Sequence, residues 1–413
     1  MPRRGALLYA LLVCLAGASL IREAALGRLA RIDEMWAAWV ARGASPRATA
    51  APVTLVEIND DTISKHAWPW GPDDFAVFFH AILPFEPVVI GIEPILDFER
   101  SAFAGRERQP MYEKMLHDHV LRTPKLVLAG TLRWTTDADA VPDLQPMPVL
   151  RKVRGDLSRV PEFTDVEGWA AEDYRITTQP GWINIPDGIG PLGRCPLLLR
   201  YRGQPVPSFV LQLAMHLEKV TLDEVEVVLG SHVAIGRLRS VPIDETGRML
   251  VNFGAKLGRA SFDDLLLTRE QLERKDAPSQ PPAIFKKRLI VLARTDALSR
   301  TLAAPDGRKI APGELFAAAL ATVQIGAYSH RVGAWFDWTL IALVAISAVW
   351  LRKWKPLYSV AGVMLVLACY AASAFSFFRS QLLVLPGVLP AGLAVWVLLL
   401  RLVARRIEKV IAF

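Results

Sequence analysis

Cysteine and the short motifs of metal chemistry are what this chain most clearly lacks, and its one GxGxxG match, at residues 188–193, is interrupted by Pro191 and is predicted to be a hairpin turn. It has three cysteines in 413 residues, and only Cys195 lies outside the long apolar segments. The polar middle of the chain therefore has no internal disulfide, and Cys195 is either a buried thiol or one half of a bridge between two chains. No HExxH, paired CxxC or Walker loop occurs, so we expect no metal site and no cofactor.

Acidic residues are nearly absent from the apolar segments near the C-terminus. Residues 332–351, 356–378 and 382–400 each have the length of about 20 residues that crosses a bilayer as a helix. Asp337 is their only acidic residue, whereas a transport pathway usually needs several polar groups within the membrane. The sequence therefore predicts three transmembrane helices over residues 332–400 and argues against a transporter.

A fourth apolar segment opens the chain. Residues 5–21 are only just long enough to span a bilayer, and we predict an N-terminal transmembrane helix or signal anchor within residues 1–21. The alternative is a cleaved signal peptide, because Ala16, Gly17 and Ala18 resemble a cleavage site.

Lysine and arginine mark one side of the predicted helices. The basic clusters near the helix ends are Arg3 and Arg4, then Arg352, Lys353 and Lys355, and then Arg401, Arg405, Arg406 and Lys409, whereas the turn between residues 378 and 382 holds only Arg379. Since cytoplasmic loops carry the excess of such residues, four crossings place both termini in the cytoplasm and residues 52–328 outside it. We therefore expect a multi-pass protein of the bacterial inner (plasma) membrane, with residues 401–413 as a basic cytoplasmic tail.

The middle segment carries no excess of positive charge. Of the 48 basic and 41 acidic residues of the chain, 10 and 2 lie in residues 1–21 and 332–413, which leaves 38 and 39 between them. Nucleic-acid binding requires a basic face on the soluble domain. The charge distribution therefore excludes nucleic acid as a partner and leaves the lipid bilayer as the partner of the basic ends.

Four short, nearly continuous apolar runs indicate buried strands in the middle segment. They are residues 53–58, 87–95, 125–132 and 288–293. Such runs are typical of parallel strands covered on both faces, and helical stretches at residues 73–83 and 112–120 separate the first three. The pattern predicts an α/β or α+β mixed-sheet domain, partly doubly wound, beside an α-helical transmembrane bundle.

Shorter segments between these runs predict antiparallel strands. They are residues 182–185, 195–201, 225–229, 232–236 and 248–253. A helix over residues 207–217, with Ser208 as its cap, interrupts them, and a last helix over residues 312–328 leads to the membrane. Residues 137–165 and 274–282 are predicted as surface loops.

Polar residues follow the predicted parallel strands at the edge where open α/β sheets bind ligands. The candidate ligand-binding residues are Asp60, Asp61, Trp70, Asp97, Thr131 and Arg294. The alternative for the polar residues is an ordinary role in helix caps and turns. The alternative for Trp70 is a place in the hydrophobic core, where a tryptophan buries a large apolar surface. No catalytic residue is predicted.

At these residues the chain resembles the type-two CHASE domain, an extracellular sensory domain associated with cyclases and histidine kinases. The resemblance covers nearly all of residues 52–327 and is followed by three apolar segments, which is also typical of the family. The blocks that carry it are Asp60-Asp61, Trp68-Pro69-Trp70, and residues 88–96, 182–217, 250–253, 261–264 and 311–328.

The resemblance implies a membrane-bound sensor that detects an extracytoplasmic ligand or stress and signals through its helices. Family members usually end in a kinase or cyclase domain, whereas here we expect no output domain, no enzyme activity and a separate cytoplasmic signalling protein as partner. Glu93 stands where the family usually has an aspartate, so we expect the ligand chemistry to differ. A homodimer is a further candidate assembly.

Two rival hypotheses belong to other classes of function. An envelope scaffold or interaction protein would bind no small-molecule ligand. A membrane-anchored enzyme acting outside the cytoplasm would depend on residues such as Asp60, Asp97 and Arg294.

Overall fold

The chain folds into two compact units in a computed structural model. The structure describes residues 2–44, 49–98, 110–123, 125–136, 147–175, 177–186, 188–351 and 354–411. One unit, which we call the helical unit, comprises Met1–Arg47 and Ser329–Phe413. The other, the sheet domain, comprises Ala48–Tyr328.

Helices occur in both units. The α-helices of the described residues are α1 (Pro2–Ala25), α2 (Ala30–Gly43), α3 (Asp60–Lys65), α4 (Pro72–Ile82), α5 (Pro110–Arg122), α6 (Glu172–Arg175), α7 (Phe209–Glu218), α8 (Phe262–Arg274), α9 (Pro312–Ile325), α10 (Ala334–Leu351), α11 (Pro356–Gln381) and α12 (Val388–Ile411).

Strands lie almost entirely in the sheet domain. They are β1 (Ala50–Ile58), β2 (Val89–Ile92), β3 (Leu126–Arg133), β4 (Lys152–Arg154), β5 (Glu162–Phe163), β6 (Asp165–Gly168), β7 (Gln179–Trp182), β8 (Arg194–Pro196), β9 (Leu198–Tyr201), β10 (Gln204–Pro207), β11 (Val225–Val228), β12 (His232–Ile235), β13 (Arg239–Pro242), β14 (Arg248–Leu250), β15 (Lys256–Ser261), β16 (Leu289–Arg294), β17 (Leu302–Ala303), β18 (Lys309–Ile310), β19 (His330–Arg331) and β20 (Leu383–Val384).

The largest sheet has the order β15-β1-β16-β2-β3, and each neighbouring pair in it is parallel. Beyond it, β7 is parallel to β3, while β6 is antiparallel to β3. The four apolar runs predicted as parallel strands correspond to β1, β2, β3 and β16, so that prediction is confirmed. These runs are apolar throughout because helices cover both faces of the sheet.

Successive residues of each strand enter different hydrophobic cores. In β16, Val291 packs into a core with Phe209 of α7 and Leu315 of α9, whereas Ile290 and Leu292 pack with α4, α5 and α8 on the opposite face. Each fully buried aliphatic or aromatic side chain stabilises the fold by about 1.5–3 kcal/mol. The α/β prediction for this domain, with helices on both faces, is therefore confirmed.

Two of the predicted antiparallel elements differ from the structure. The strand predicted over residues 182–185 is wrong, because β7 ends at Trp182 and runs parallel to β3, with the Trp182 ring packed over Gly130. The strand predicted over residues 195–201 divides into β8 and β9, which belong to different sheets. The division follows Pro196, which has no N–H to continue a ladder.

Other predictions from the middle of the domain are confirmed in part. Strands β11 and β12 form the expected antiparallel hairpin. The Ser208 hydroxyl accepts the N–H of Leu211 at 3.3 Å and caps α7 as predicted. The segment predicted as a loop over residues 137–165 contains β4 and β5 in its described part, and residues 137–146 lie outside the described residues.

The predicted last helix of the domain is α9, which ends three residues earlier than expected. Gly326 takes a left-handed conformation (φ 64°) directly after Ile325 and ends the helix. Glycine adopts this conformation without the steric cost that a Cβ atom brings.

In the helical unit, α1 packs against α10 and α12, and α2 packs against α11 and α12. Among the described residues, two helical segments are long and apolar enough to cross a membrane, namely Leu7–Ala25 and Leu357–Gln381. Two further apolar segments, Trp335–Leu351 and Val388–Val403, are shorter.

The span predicted over residues 382–400 begins differently in the structure. Leu383–Val384 form β20, which pairs with β19, and the helix starts only at Val388. The helix then continues to Ile411, through most of the segment predicted as a basic tail. The apolar pattern did not reveal this start because the short strand is as apolar as the helix after it.

Candidate functional site

The order of the strands creates a switch point at the carboxyl edge of the large sheet. The chain leaves β1 toward α3 and α4, which cover one face, whereas it leaves β16 toward α9, which covers the opposite face. Strands β1 and β16 are direct neighbours, with Ile58 opposite Arg294. Ligands of open α/β sheets bind in the crevice that forms where neighbouring connections diverge in this way.

The end of β1 provides a helix cap and one contact across the crevice. The Asn59 side chain accepts the N–H of Thr62 at 2.9 Å and caps α3. The Asp60 carboxylate accepts the N–H of Ala297, in the loop after β16, at 3.0 Å. The Asp61 side chain is exposed. The two loops that border the crevice are thus joined directly through Asp60.

The end of β16 carries an ion pair beneath an aromatic ring. The Arg294 guanidinium donates through Nε and Nη2 to the two carboxylate oxygens of Asp296, each at 2.8 Å. Its Cζ lies 4.3 Å from the centre of the Trp68 ring. Asp296 is buried, whereas about a quarter of the Arg294 side chain is exposed. Paired and stacked in this way, Arg294 is held in one orientation.

Glu93, directly after β2, contacts the same strand end. Its carboxylate accepts the backbone N–H of Arg294 at 3.4 Å. Burial raises the pKa of Glu93 to about 7, and the N–H and guanidinium of Arg294 oppose this rise while the Asp296 carboxylate adds to it. The strand end therefore holds a carboxyl group whose charged form is disfavoured by burial.

Trp70 is placed in the core and Trp68 at the crevice. The Trp70 side chain is only 1% exposed and packs on Phe75 and Phe262, with ring centres 5.6 and 4.6 Å away. Its indole N–H donates to the carbonyl of His66 at 3.3 Å. The ring that reaches the Arg294 side chain is the neighbouring Trp68, which sequence reasoning did not select although it named the Trp68-Pro69-Trp70 block.

Thr131 and Asp97 belong to the far side of the edge. Thr131 lies in β3 and pairs with Gly168 of β6. Strand β3 is three positions from β1 in the sheet, which is about 14 Å at the usual strand spacing. Asp97 follows β2 in the segment that contacts Ala171 through the Leu96 carbonyl. The structure thus brings Asp60, Arg294 and Glu93 to the β1–β16–β2 ends and leaves Thr131 apart.

A cavity of about 300 Å³ lies beside β15 and α9. Its charged lining residues are Lys256, Arg259, Arg308 and Glu314. Arg259 donates to the carboxylates of both Glu57, at 3.0 Å, and Glu314. Burial raises the pKa of Glu57, against the effect of the Arg259 guanidinium.

Sequence reasoning missed this second group of charges. The residue that could have revealed this group is Glu57, a carboxylate next to the end of the mostly apolar strand β1. A charged residue in a strand buried on both faces requires a partner, which here comes from the neighbouring β15.

Metal binding gains no support from the described part of the chain. No group of three or more His, Cys, Asp or Glu side chains there could hold a metal ion. The crevice therefore offers groups that can bind a ligand. They are the fixed guanidinium of Arg294, the buried carboxyl group of Glu93, the exposed carboxylate of Asp61 and the ring of Trp68.

A protein-family model matches most of the chain. The family described as the CHASE2 domain matches residues 7–352, which include α1 from residue 7 onward, the whole sheet domain and α10. Neither the curated proteins nor the solved structures contain a match.

Proposed function

Since the chain belongs to the CHASE2 domain family, a family of extracellular sensory domains found in signalling proteins, we propose that it is a multi-pass membrane sensor that signals through a separate cytoplasmic protein. The single observation that carries this proposal is the extent of the family match, which includes one apolar helix before the sheet domain in the chain and one after it. The chain itself is proposed to catalyse no reaction.

The proposed arrangement in the membrane has four crossings. Helices α1, α10, α11 and α12 contain the four apolar segments, two of them of full spanning length. The clusters of Arg and Lys at their ends support cytoplasmic termini, a sheet domain outside the cytoplasm and localisation in the bacterial inner membrane. A bundle of this kind anchors the sensor and carries its signal.

Reporter fusions test this topology. Alkaline phosphatase joined after Arg274 is expected to be active, because that enzyme folds only outside the cytoplasm, and a fluorescent protein joined after Ile411 is expected to be bright. An inactive phosphatase at Arg274, with a fluorescent protein that is bright at the same position, would overturn the arrangement.

The proposed signal-binding site is the crevice between the ends of β1 and β16. Asp296 and Trp68 hold Arg294 in place before a ligand binds. Asp60 links the loop after β1 to the loop after β16, and a bound ligand would change the distance between these loops. Helix α9 packs against β1 and β16. A ligand shifts the receptor only by its different affinity for two conformations, and a change at these strand ends reaches α9 directly.

Thermal-shift measurements on the full-length protein in nanodiscs test the site. A panel of small carboxylates, phosphates and amines is screened, and any compound that stabilises the protein is measured again with Arg294→Ala and Trp68→Ala. We expect both variants to lose the stabilisation and Asp223→Asn, an exposed control, to keep it. Stabilisation that survives in both variants would remove the crevice as the binding site.

The cytoplasmic partner is tested by cross-linking in cells. We expect a signalling protein to be captured from the region around α12, with a yield that changes when the stabilising compound is present. Capture of envelope proteins alone, unchanged by any compound, would favour the scaffold hypothesis instead.

A further inference from the structure

A cavity in the helical unit combines a buried, unpaired carboxylate oxygen with apolar walls. It has a volume of about 200 Å³, an apolar lining that includes Leu20, Ala24 and Leu389, and three charged lining residues, Asp33, Arg331 and Asp337. These residues come from α1, α2, α10, α12 and the segments that join them. All belong to the helical unit.

Two of the three charged residues are engaged with each other. The Asp33 Oδ1 atom accepts the N–H groups of Gly387 and Val388, both at 3.0 Å, and Oδ2 forms an ion pair with Arg331 at 2.9 Å. Asp33 therefore satisfies the N-terminus of α12 and is held by the ion pair with Arg331. Arg331 is about half exposed, and a guanidinium carries five N–H donors, so it has donors to spare.

Asp337 has one carboxylate oxygen without a hydrogen-bond partner. Its Oδ1 atom is buried and accepts no hydrogen bond. A buried carboxylate oxygen without a donor destabilises the folded protein, and ionisable residues at membrane depth usually mark functional sites. The charged lining of the cavity thus consists of two carboxyl groups and one guanidinium.

We propose that this cavity binds an alkylammonium group, with the N–H donors on Asp337 and the alkyl part against α1 and α12. The walls Leu20, Ile21 and Leu389 supply the apolar contact. The volume is below that of pockets for drug-sized ligands, about 300–1,000 Å³, and suits a headgroup. A bare Mg²⁺ or Ca²⁺ ion would find one uncommitted carboxylate where it needs about six oxygen ligands.

The same chemistry has two sources, a phospholipid with an ethanolamine headgroup and a free alkylamine. The lipid would also place its phosphate beside the spare donors of Arg331. This inference rests on the proposed membrane placement, but it concerns a different site from the crevice of the sheet domain. Loss of ligand binding at one site would leave the other untouched.

The test uses the full chain in phosphatidylglycerol nanodiscs that contain a small fraction of either phosphatidylethanolamine or phosphatidylcholine. Lipids that remain bound after release are counted by native mass spectrometry. We expect the wild type to retain the ethanolamine lipid about tenfold more than Asp337→Asn does, as for one hydrogen bond to a charged group. Choline lipid, which has no N–H donor, is expected to show no such difference.

Two further variants make the result specific. Ala24→Phe fills the cavity but keeps Asp337, and it is expected to lose the lipid as well. Glu23→Gln makes the same change of charge in an ion pair with Arg28 outside the cavity, and it is expected to bind like the wild type. Asp337→Asn keeps the size of the side chain, so unfolding is not expected, and its thermal transition is recorded in parallel.

A third set of nanodiscs, of phosphatidylglycerol alone with added octylamine, distinguishes the two sources. Saturable octylamine binding that depends on Asp337, without retention of the ethanolamine lipid, supports the proposal with a free amine as ligand. If neither the lipid nor octylamine depends on Asp337 or on Ala24→Phe, the proposal is overturned.

Discussion

Arg294 and Asp296 are two residues apart in the chain and form a two-point ion pair at the end of β16, with both N···O distances at 2.8 Å. The carboxylate of Asp296 is almost fully buried, at 1% exposure of the side chain, and it also accepts the N–H of Leu298 at 3.1 Å. The loop after β16 is therefore organised around one buried carboxylate, and Arg294 owes its orientation to it.

Removal of this carboxylate is expected to destabilise the sheet domain. Asp296→Ala leaves the partly buried guanidinium unpaired and the N–H of Leu298 without an acceptor, at a cost of about 3 kcal/mol. Urea unfolding followed by tryptophan fluorescence measures the change. Asp223→Ala removes a carboxylate that is 65% exposed and 3.4 Å from Arg151, and it is expected to change the unfolding free energy by less than about 1 kcal/mol. Equal costs for the two variants would contradict the role given to Asp296.

Stability is expected to fall as pH rises, through Glu93. Its pKa is raised to about 7 in the folded protein, above the unfolded value, so the folded state holds a proton that the unfolded state has already released. The stability that this proton contributes to the folded state is fully present below pH 4.5 and is lost by the time the pH has passed 7. The total loss in the free energy of unfolding is on the order of 1–3 kcal/mol. Glu93→Gln should remove this part of the pH dependence.

The measurement for Glu93 is the difference in unfolding free energy between wild type and Glu93→Gln at pH 5, 6, 7 and 8. Glu86→Gln serves as control, because Glu86 is exposed and 3.8 Å from Lys287. A wild-type curve parallel to that of Glu93→Gln across this range would show that Glu93 titrates as in the unfolded chain.

A methyl group at Gly313 is expected to displace α9 from β16. A Cβ atom there would lie 2.1 Å from the Cβ of Ala293, and neither atom can move without its own backbone. Gly313→Ala should therefore cost about 1–3 kcal/mol by overpacking, in spite of the better helix propensity of alanine. Gly362→Ala, in α11, meets nothing closer than 3.5 Å and should not destabilise the protein. Thermal unfolding of both variants compares the two positions.

Cys195 is expected to be unreactive in the folded protein. It is fully buried, and burial raises the pKa of its thiol, so little thiolate forms and no reagent reaches it. A chain with Cys14→Ser and Cys369→Ser should resist a water-soluble maleimide until denaturant is added, whereas the same chain with an added Asp223→Cys change should react at once. Rapid labelling of native Cys195, or a disulfide-linked dimer, would favour the bridge between two chains.

The central strands could be predicted from sequence because burial on both faces makes their apolar runs continuous. Strand β15 escaped prediction because it lies at the edge of the sheet and carries Lys256 and Arg259, so it has no such run. Helix α2 was not predicted for a related reason, because charged residues interrupt its apolar ones and the segment resembles a polar linker. In the structure, α2 packs Val40 into the helical unit.

The position of the candidate site could be predicted from the sequence, whereas the residues that contact one another there could be predicted only in part. Strand order places Asp60 and Arg294 at one edge once β1 and β16 are recognised as neighbours. The sequence alone could not show that Arg294 pairs with Asp296 rather than with Thr295 or Glu93. It also could not show that Trp68, rather than Trp70, stacks on the guanidinium. The ion pair between Arg259 and Glu57 joins residues 202 positions apart, a separation at which sequence spacing carries no information.

The Asp33 side chain connects three segments of the helical unit. It belongs to α2, accepts N–H groups at the start of α12, and forms an ion pair with Arg331 in the segment before α10. Sliding or turning any one of the three breaks at least one bond at that carboxylate. Because each of the three segments depends on the same carboxylate, we expect them to move together rather than independently.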